Sequence, residues 1–162
     1  HLDKTLRWTS DSLRQWYGTP PVALSEAQDS VAAVLLWVLQ GDAGQRAIAA
    51  QALAWDAGRA VSGTEWMAPF LAQLLDDPYD AVRMGAAAAL RTLPGFAEVS
   101  PDPVAPPADR RAAQRRVMAT WDRVRAGAPR RGADLLMTSE GELDVPRVLA
   151  LLKGRDHRPM LL

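Results

Sequence analysis

Apolar residues recur along this chain at intervals of three and four, in blocks a few turns long with short polar breaks between them. No segment alternates with period two for long, so the pattern predicts helices throughout and an all-α fold. The first block, within Trp8 to Gly18, places Leu13, Trp16 and Tyr17 at i, i+3 and i+4, with Thr9 and Ser10 as N-cap residues and the extended Pro20-Pro21 beyond. The second opens on Ser25 with Gln28 three places on, a capping-box pair. Val31, Val34, Leu35, Val38 and Leu39 then form a stripe that Leu36 and Trp37 widen, so this helix is expected to pack on both sides before Gly41 ends it. Asp42 caps a third helix whose face is read as Ile48, Ala52 and Trp55, with Ala49 and Leu53 beside it and Gly58 as its stop. Thr64 is read as the cap of a fourth, with Pro69 in its first turns. A fifth carries Val82, Ala86, Ala89, Leu90 and Leu93 in one stripe.

After Phe96 the period disappears. "AEVSPDPVAPPA" holds four prolines in twelve residues and reads as a linker or an extended strap. A basic helix from about Ala108 to Arg125 comes next, with Ala113, Val117, Trp121 and Val124 on its apolar side. Gly127, Pro129 and Gly132 break it, and Asp144 with Pro146 opens a last helix, "DVPRVLALLKG". The organisation expected is a lead-in with a short helix over 1–24, paired helices over 25–96, a proline-rich linker over 97–107, and a basic helix plus a capping helix packing on the array over 108–162.

Within 25–96 the chain repeats itself. A shift of 37 residues lays Arg46 on Arg83, Ala49 on Ala86, Ala52 on Ala89 and Leu53 on Leu90. Self-similarity at such a period is the mark of a stack of helical hairpins. Alanine belongs in the second helix of each hairpin because it is squeezed by its own partner and by the next repeat, and small side chains let backbones approach. The arginine one turn in is placed to reach carboxylates or carbonyls of an adjacent turn, a tie between repeats. "DDPYDAVRMGAAAAL", with Asp77, Pro78, Val82, Arg83, Ala86, Ala89 and Leu90, resembles the HEAT-repeat family, and "GDAGQRAIAAQAL" resembles it in a second copy. The resemblance implies an α-α superhelix, a short solenoid closed by capping helices, whose business is to present a surface.

Composition narrows the chemistry. The chain has 162 residues, enough for one domain, and no cysteine, so disulfides, thiol catalysis and cysteine-held zinc or iron–sulfur clusters are excluded within it. Its longest apolar run, Val31 to Leu39, is too short to span a membrane. Net charge is zero but divided: residues 1–100 hold 7 basic and 11 acidic side chains, residues 101–162 hold 12 and 8. The excess is concentrated in Arg110, Arg111, Arg115, Arg116, Arg123, Arg125, Arg130 and Arg131, against one acid, Asp122. That cluster reads either as a solvated face paired with the acidic half or as a track for phosphates. His157 is a lone histidine in a polar tail and makes no metal site. Gly141 mimics the sixth residue of a calcium loop, but positions one and twelve would be Leu136 and Arg147, which offer no oxygen ligand, so "SEGE" is an ordinary turn. No catalytic constellation is found. The tryptophans, Trp8, Trp16, Trp37, Trp55, Trp66 and Trp121, default to core packing. Trp8 and Trp16 are the best placed to touch something outside the array.

His1 has one specific reading. "HLDKTLRWTSDSLRQWYG" resembles the segment directly after a C-x-x-C-H haem-attachment motif in bacterial multihaem cytochromes with a C-terminal HEAT domain. The resemblance implies that His1 is an axial haem ligand, that the two cysteines lie before it, and that these residues belong to a longer chain working in electron transfer outside the cytoplasm. The plain alternative is an incidental terminal histidine. The function expected is therefore non-catalytic: docking or scaffolding, with protein or other domains of the same chain as partners, no cofactor held by these residues alone, and c-type haem reached through His1. The competing readings are a nucleic-acid-binding HEAT-like protein of DNA-glycosylase type using the arginine cluster, and a HEAT-like lyase, for which no distinguishing residue is found.

Overall fold

Two helical hairpins lie side by side at the centre of the molecule. The computed structural model describes residues 1–127 and 132–159. The helices are α1 (Leu6–Tyr17), α2 (Glu26–Ser30), α3 (Ala33–Gln40), α4 (Ala43–Ala54), α5 (Asp56–Ser62), α6 (Ala68–Leu74), α7 (Asp80–Arg91), α8 (Pro107–Val124) and α9 (Val145–Leu152), with a 3-10 turn over Ala133–Leu135. Among the described residues there is no strand beyond two isolated bridges, Thr5 with Ala32 and Met137 with Leu143. The fold is all-α, as the periodicity predicts. No helix among the described residues is long and apolar enough to cross a membrane.

The hairpins are α3–α4 and α6–α7, and they stack like on like, α4 against α7 and α3 against α6. The α4–α7 contact is the most extensive in the molecule. Its seam is made mostly of alanines, Ala49 and Ala50 from α4 and Ala86, Ala87 and Ala89 from α7, with Leu53 and Leu90 beside them, all buried. Gly85 sets the closest approach, since a Cβ there would stand 3.2 Å from the Cβ of Ala50. Alanine at these positions is thus required by backbone proximity as well as favoured by helix propensity. Trp66, Phe70, Leu71 and Leu74 enter from the α6 side with 1% exposure or less. Burying each such side chain contributes about 1.5–3 kcal/mol.

The C-terminal segment closes both ends of the first-helix layer. α8 packs on α6 and α9 packs on α3. Ahead of α9, Leu135, Leu136 and Met137 are buried in the core. The proline-rich stretch is a strap, pinned where Arg83 Nε donates to the Pro103 carbonyl at 2.6 Å.

Several boundaries differ from those read in the sequence, each for a local reason. α1 starts two residues before Trp8, because Thr5, and neither Thr9 nor Ser10, caps it by accepting from Trp8 N–H at 3.1 Å. The Ser25–Gln28 capping box is present, but the helix it opens stops at Ser30. Val31 and Ala32 are drawn out because Ala32 N–H donates to Asp134 O and Ala33 N–H to Lys4 O, at 2.8 and 3.0 Å. Asp42 caps α4 with Gln45 in a second capping box. Removing that cap by Asp42→Ala is expected to cost about 1 kcal/mol, read from a urea unfolding midpoint. α4 ends at Ala54, and Gly58 lies inside α5, where a Cβ would come within 2.9 Å of Leu2. Thr64 caps no helix; its carbonyl accepts from Met67 N–H at 3.1 Å and α6 begins at Ala68.

The core face of α4 also differs. Ile48 and Trp55 are 56% and 65% exposed, and the buried face is Ala43, Arg46, Ala49, Ala50 and Leu53. Core packing holds for Trp66 and Trp121 alone among the tryptophans; Trp8, Trp16, Trp37 and Trp55 are all exposed. Val124, read as inward, is exposed, while Ala113, Val117 and Trp121 are buried.

Candidate functional site

Three places hold the residues with functional potential: the turns within the two hairpins, the N-terminal face, and the outer surface of α8.

At the turns, Arg46 and Arg83 share one contact, to the carbonyl five residues before each, and differ in the rest. Arg46 Nη1 donates to Gly41 O at 2.7 Å, and Arg83 Nη1 to Pro78 O at 3.1 Å, the residue 37 places on. Each also reaches beyond its own hairpin. Arg46 grips both carboxylate oxygens of Asp77 in the next hairpin's turn, at 2.6 and 3.1 Å, with side-chain exposures of 2% and 0%. Arg83 reaches the strap through Pro103 and also pairs with Asp80. Pro78, the repeat residue between them, is exposed and supplies only its carbonyl. The C-terminal tail joins this network. Arg155 donates to Leu39 O at 3.0 Å and stands 3.8 Å from Asp77, while Asp156 O accepts from Arg46 at 3.3 Å. Burial, and next the neighbouring Arg46 charge, hold the Arg155 guanidinium below its usual proton affinity, with Asp77 opposing. The arrangement is structural: each of these charged groups is held by hydrogen bonds or an ion pair within the fold.

The tail has its own pair. Arg158 donates side-chain and backbone hydrogen bonds to Asp156, which push that carboxyl down from 3.8 to about 2. The folded state therefore binds this proton less readily than the unfolded chain. Its contribution to stability is present above pH 3.8 and fades as pH falls through about 2. Asp156→Asn is expected to flatten that part of the acid-unfolding curve, as followed by circular dichroism.

On the N-terminal face, the first five residues are tied down. Leu2 N–H donates to Ser62 Oγ at 2.7 Å, and Leu2 packs on Gly58 of α5. Asp3 pairs with Lys4 at 2.9 Å, and its Oδ1 is buried without a partner. Thr5 bridges to Ala32. This anchoring leaves the His1 imidazole exposed beside Trp8, with ring centroids 4.9 Å apart and planes tilted by 53°. Trp16 lies about 12 Å further along α1 at 1.5 Å per residue and does not join them. The fold thus brings His1 and Trp8 together and leaves Trp16 and Tyr17 outward at the helix end, 63% and 75% exposed.

The chemistry of these residues suits a haem only in part. They offer one accessible imidazole nitrogen donor and an indole as an apolar flank, which suit a single axial ligand. They offer no thiol, and no group of three or more histidine, aspartate or glutamate side chains among the described residues could hold a metal by itself. His157 is exposed. Glu140 to Glu142 form a turn closed by Thr138 N–H donating to Glu142 O at 2.8 Å.

On α8 the arginines separate into two sets. Arg110 donates to Asp76 at 2.9 Å and Arg125 to Glu142 at 2.6 Å, with the Arg125 guanidinium 4.7 Å over the Trp121 ring. The Glu142 hydrogen bond raises the proton affinity of Arg125, burial working against it. Arg111 stands 3.6 Å from Asp76, which Arg110 already holds. Arg123 donates only to Ala119 O and Thr120 Oγ1. Arg115 and Arg116 are exposed and make no ion pair or hydrogen bond among the described residues. Arg130 and Arg131, and the break at Pro129, lie outside the described residues. Arg110 pairs with an acid of the N-terminal half, Asp76, whereas the acids that Arg125 meets, Asp122 and Glu142, belong to the basic C-terminal half. The tail clasp of Arg155 and Asp156 had no signal in the sequence, because its partners are more than a hundred residues away.

Comparison with protein-family models, with curated proteins and with solved structures returns no match.

Proposed function

We propose that the chain is a non-catalytic docking domain of HEAT-like solenoid type, and that its N-terminal face meets a haem-bearing module to which His1 gives an axial imidazole. The observation that carries this reading is the exposed His1 ring set against Trp8 on a pinned N-terminal segment. A bound haem would supply one-electron transfer. The part of this chain is to place a nitrogen donor, to flank it with indole, and to hold both at a fixed position on a rigid stack. Leu2 on Ser62 and Thr5 on Ala32 are the anchors that do so. The stacked hairpins, the contact that Arg46 and Arg83 share, and the segment "HLDKTLRWTSDSLRQWYG" support the reading together.

The test uses the full-length protein. Covalently bound haem, measured by the pyridine haemochrome spectrum, is expected, with C-x-x-C encoded directly before His1. Replacing His1 by alanine in that protein is expected to alter the spectrum of one haem while the helical circular dichroism is unchanged. A full-length protein without haem, or with other residues in place of the cysteines, sinks the proposal.

A further inference from the structure

Independently of any haem, we propose that the outer surface of α8 is a docking site for an acidic polypeptide segment. Two grooves run along this helix, each of about 440 Å³. One lies between α6 and α8 and has Arg111 and Arg115 on its rim, with Ala72 and Met118 on its floor. The other lies between α8 and the strap, with Arg116 and Arg123 on its rim and Ala113, Val99 and Pro101 on its floor. Ala119 lines both, so a low ridge separates them. Helical spacing explains the arrangement: 111, 115, 118 and 122 share one flank of α8, and 116, 120 and 123 the other.

Charge complementarity selects the occupant. Apart from Arg14 and Arg91, the arginines elsewhere in the described chain are tied to an acid or a carbonyl, as Arg7 is to Asp29, Arg59 to Asp56 and Arg147 to Ala133. Arg115 and Arg116 have no such partner, Arg123 has no carboxylate, and Arg111 shares one. Four guanidinium groups beside apolar floors suit a chain that carries carboxylates and aliphatic side chains alternately. A nucleic-acid strand suits the surface less. The arginines do not follow one track but divide between two flanks, and the one tryptophan of α8 is buried and offers no stacking face.

The probe is a fluorescent peptide alternating glutamate and leucine, titrated with the whole chain at low salt and followed by anisotropy. A peptide with glutamine in place of glutamate and a DNA duplex serve as comparators. Saturable binding of the acidic peptide is expected, weakened about tenfold by Arg115→Glu with Arg116→Glu. The paired change Arg14→Glu with Arg91→Glu, two other unpartnered surface arginines, is expected to leave it unchanged. Arg115→Gln with Arg116→Gln guards against loss of folding, which thermal melts report. Binding no stronger than that of the glutamine peptide, binding indifferent to Arg115 and Arg116, or tighter binding of the duplex overturns the proposal. So does self-association that the same substitutions abolish, since it assigns the surface to a second copy of the chain.

Discussion

Asp77→Ala is expected to destabilise the domain by about 3–5 kcal/mol, and by more than Arg46→Ala does. The order comes from the surroundings. Removing Asp77 leaves Arg46 buried, with no carboxylate among its hydrogen-bond partners, and takes the nearest acid from Arg155 as well. It also removes the acceptor for Tyr79 N–H at 3.1 Å, on the residue that precedes α7. Removing Arg46 leaves Asp77 with Arg155 at 3.8 Å, a partial replacement. Breaking one side of a buried pair is costly because the remaining charge stays desolvated; the net worth of the intact pair is much smaller. Total stabilities are about 5–15 kcal/mol, so Asp77→Ala takes a large share of the margin. Urea unfolding followed by circular dichroism gives the numbers. A loss under about 1 kcal/mol would mean that water reaches the pair.

The second large effect is expected at the seam. Gly85→Leu puts a branched side chain where even a Cβ stands 3.2 Å from the Cβ of Ala50 and 3.9 Å from the Ala47 carbonyl, both on α4. The hairpins must spread, at a cost of about 1–3 kcal/mol, and the contacts of Ala49, Ala50, Ala86 and Ala89 loosen with them. The repeat supplies its own control. Ile48 is the residue equivalent to Gly85 under the 37-residue shift, yet it is 56% exposed because no helix among the described residues covers that side of α4. Ile48→Leu is expected to change stability by less than about 0.5 kcal/mol. The same repeat position is thus sensitive in one copy and tolerant in the other, and thermal melts of the two variants make the comparison.

The contrast shows what the sequence could and could not disclose. The stripe of α7 was legible because its buried residues Val82, Ala86, Ala89 and Leu90 recur at helical spacing on one face. Asp42, Ser25 and Asp144 were legible as caps because capping chemistry is local. The contact that Arg46 and Arg83 share was legible because repetition writes it twice. The face of α4 was misread for the opposite reason. Periodicity marks where apolar side chains point, but which side acquires a neighbour depends on the rest of the stack, and α7 arrived on the alanine side. Burial of Arg46 looks improbable in sequence until Asp77 from the next turn is beside it.

Of the candidate sites, the pairing of His1 with Trp8 follows from one helix turn and a cap, both near in sequence. The arginine cluster was visible as composition, but its division into bonded and unbonded members was not. That division depends on Asp76 and Glu142, which tertiary packing delivers from other elements. The break at Val31 and Ala32 and the tail clasp were hidden because Lys4, Asp134 and Arg155 come from the two ends of the chain.

The claim on which the rest depends is that one hairpin is tied to the next through the buried guanidinium of α4 and the carboxylate of the following turn. A double-mutant cycle on Arg46→Ala and Asp77→Ala measures that tie directly. The account predicts a coupling of about 2 kcal/mol or more, because the two groups share one desolvated network. Losses that simply add, to within about 0.5 kcal/mol, would contradict it.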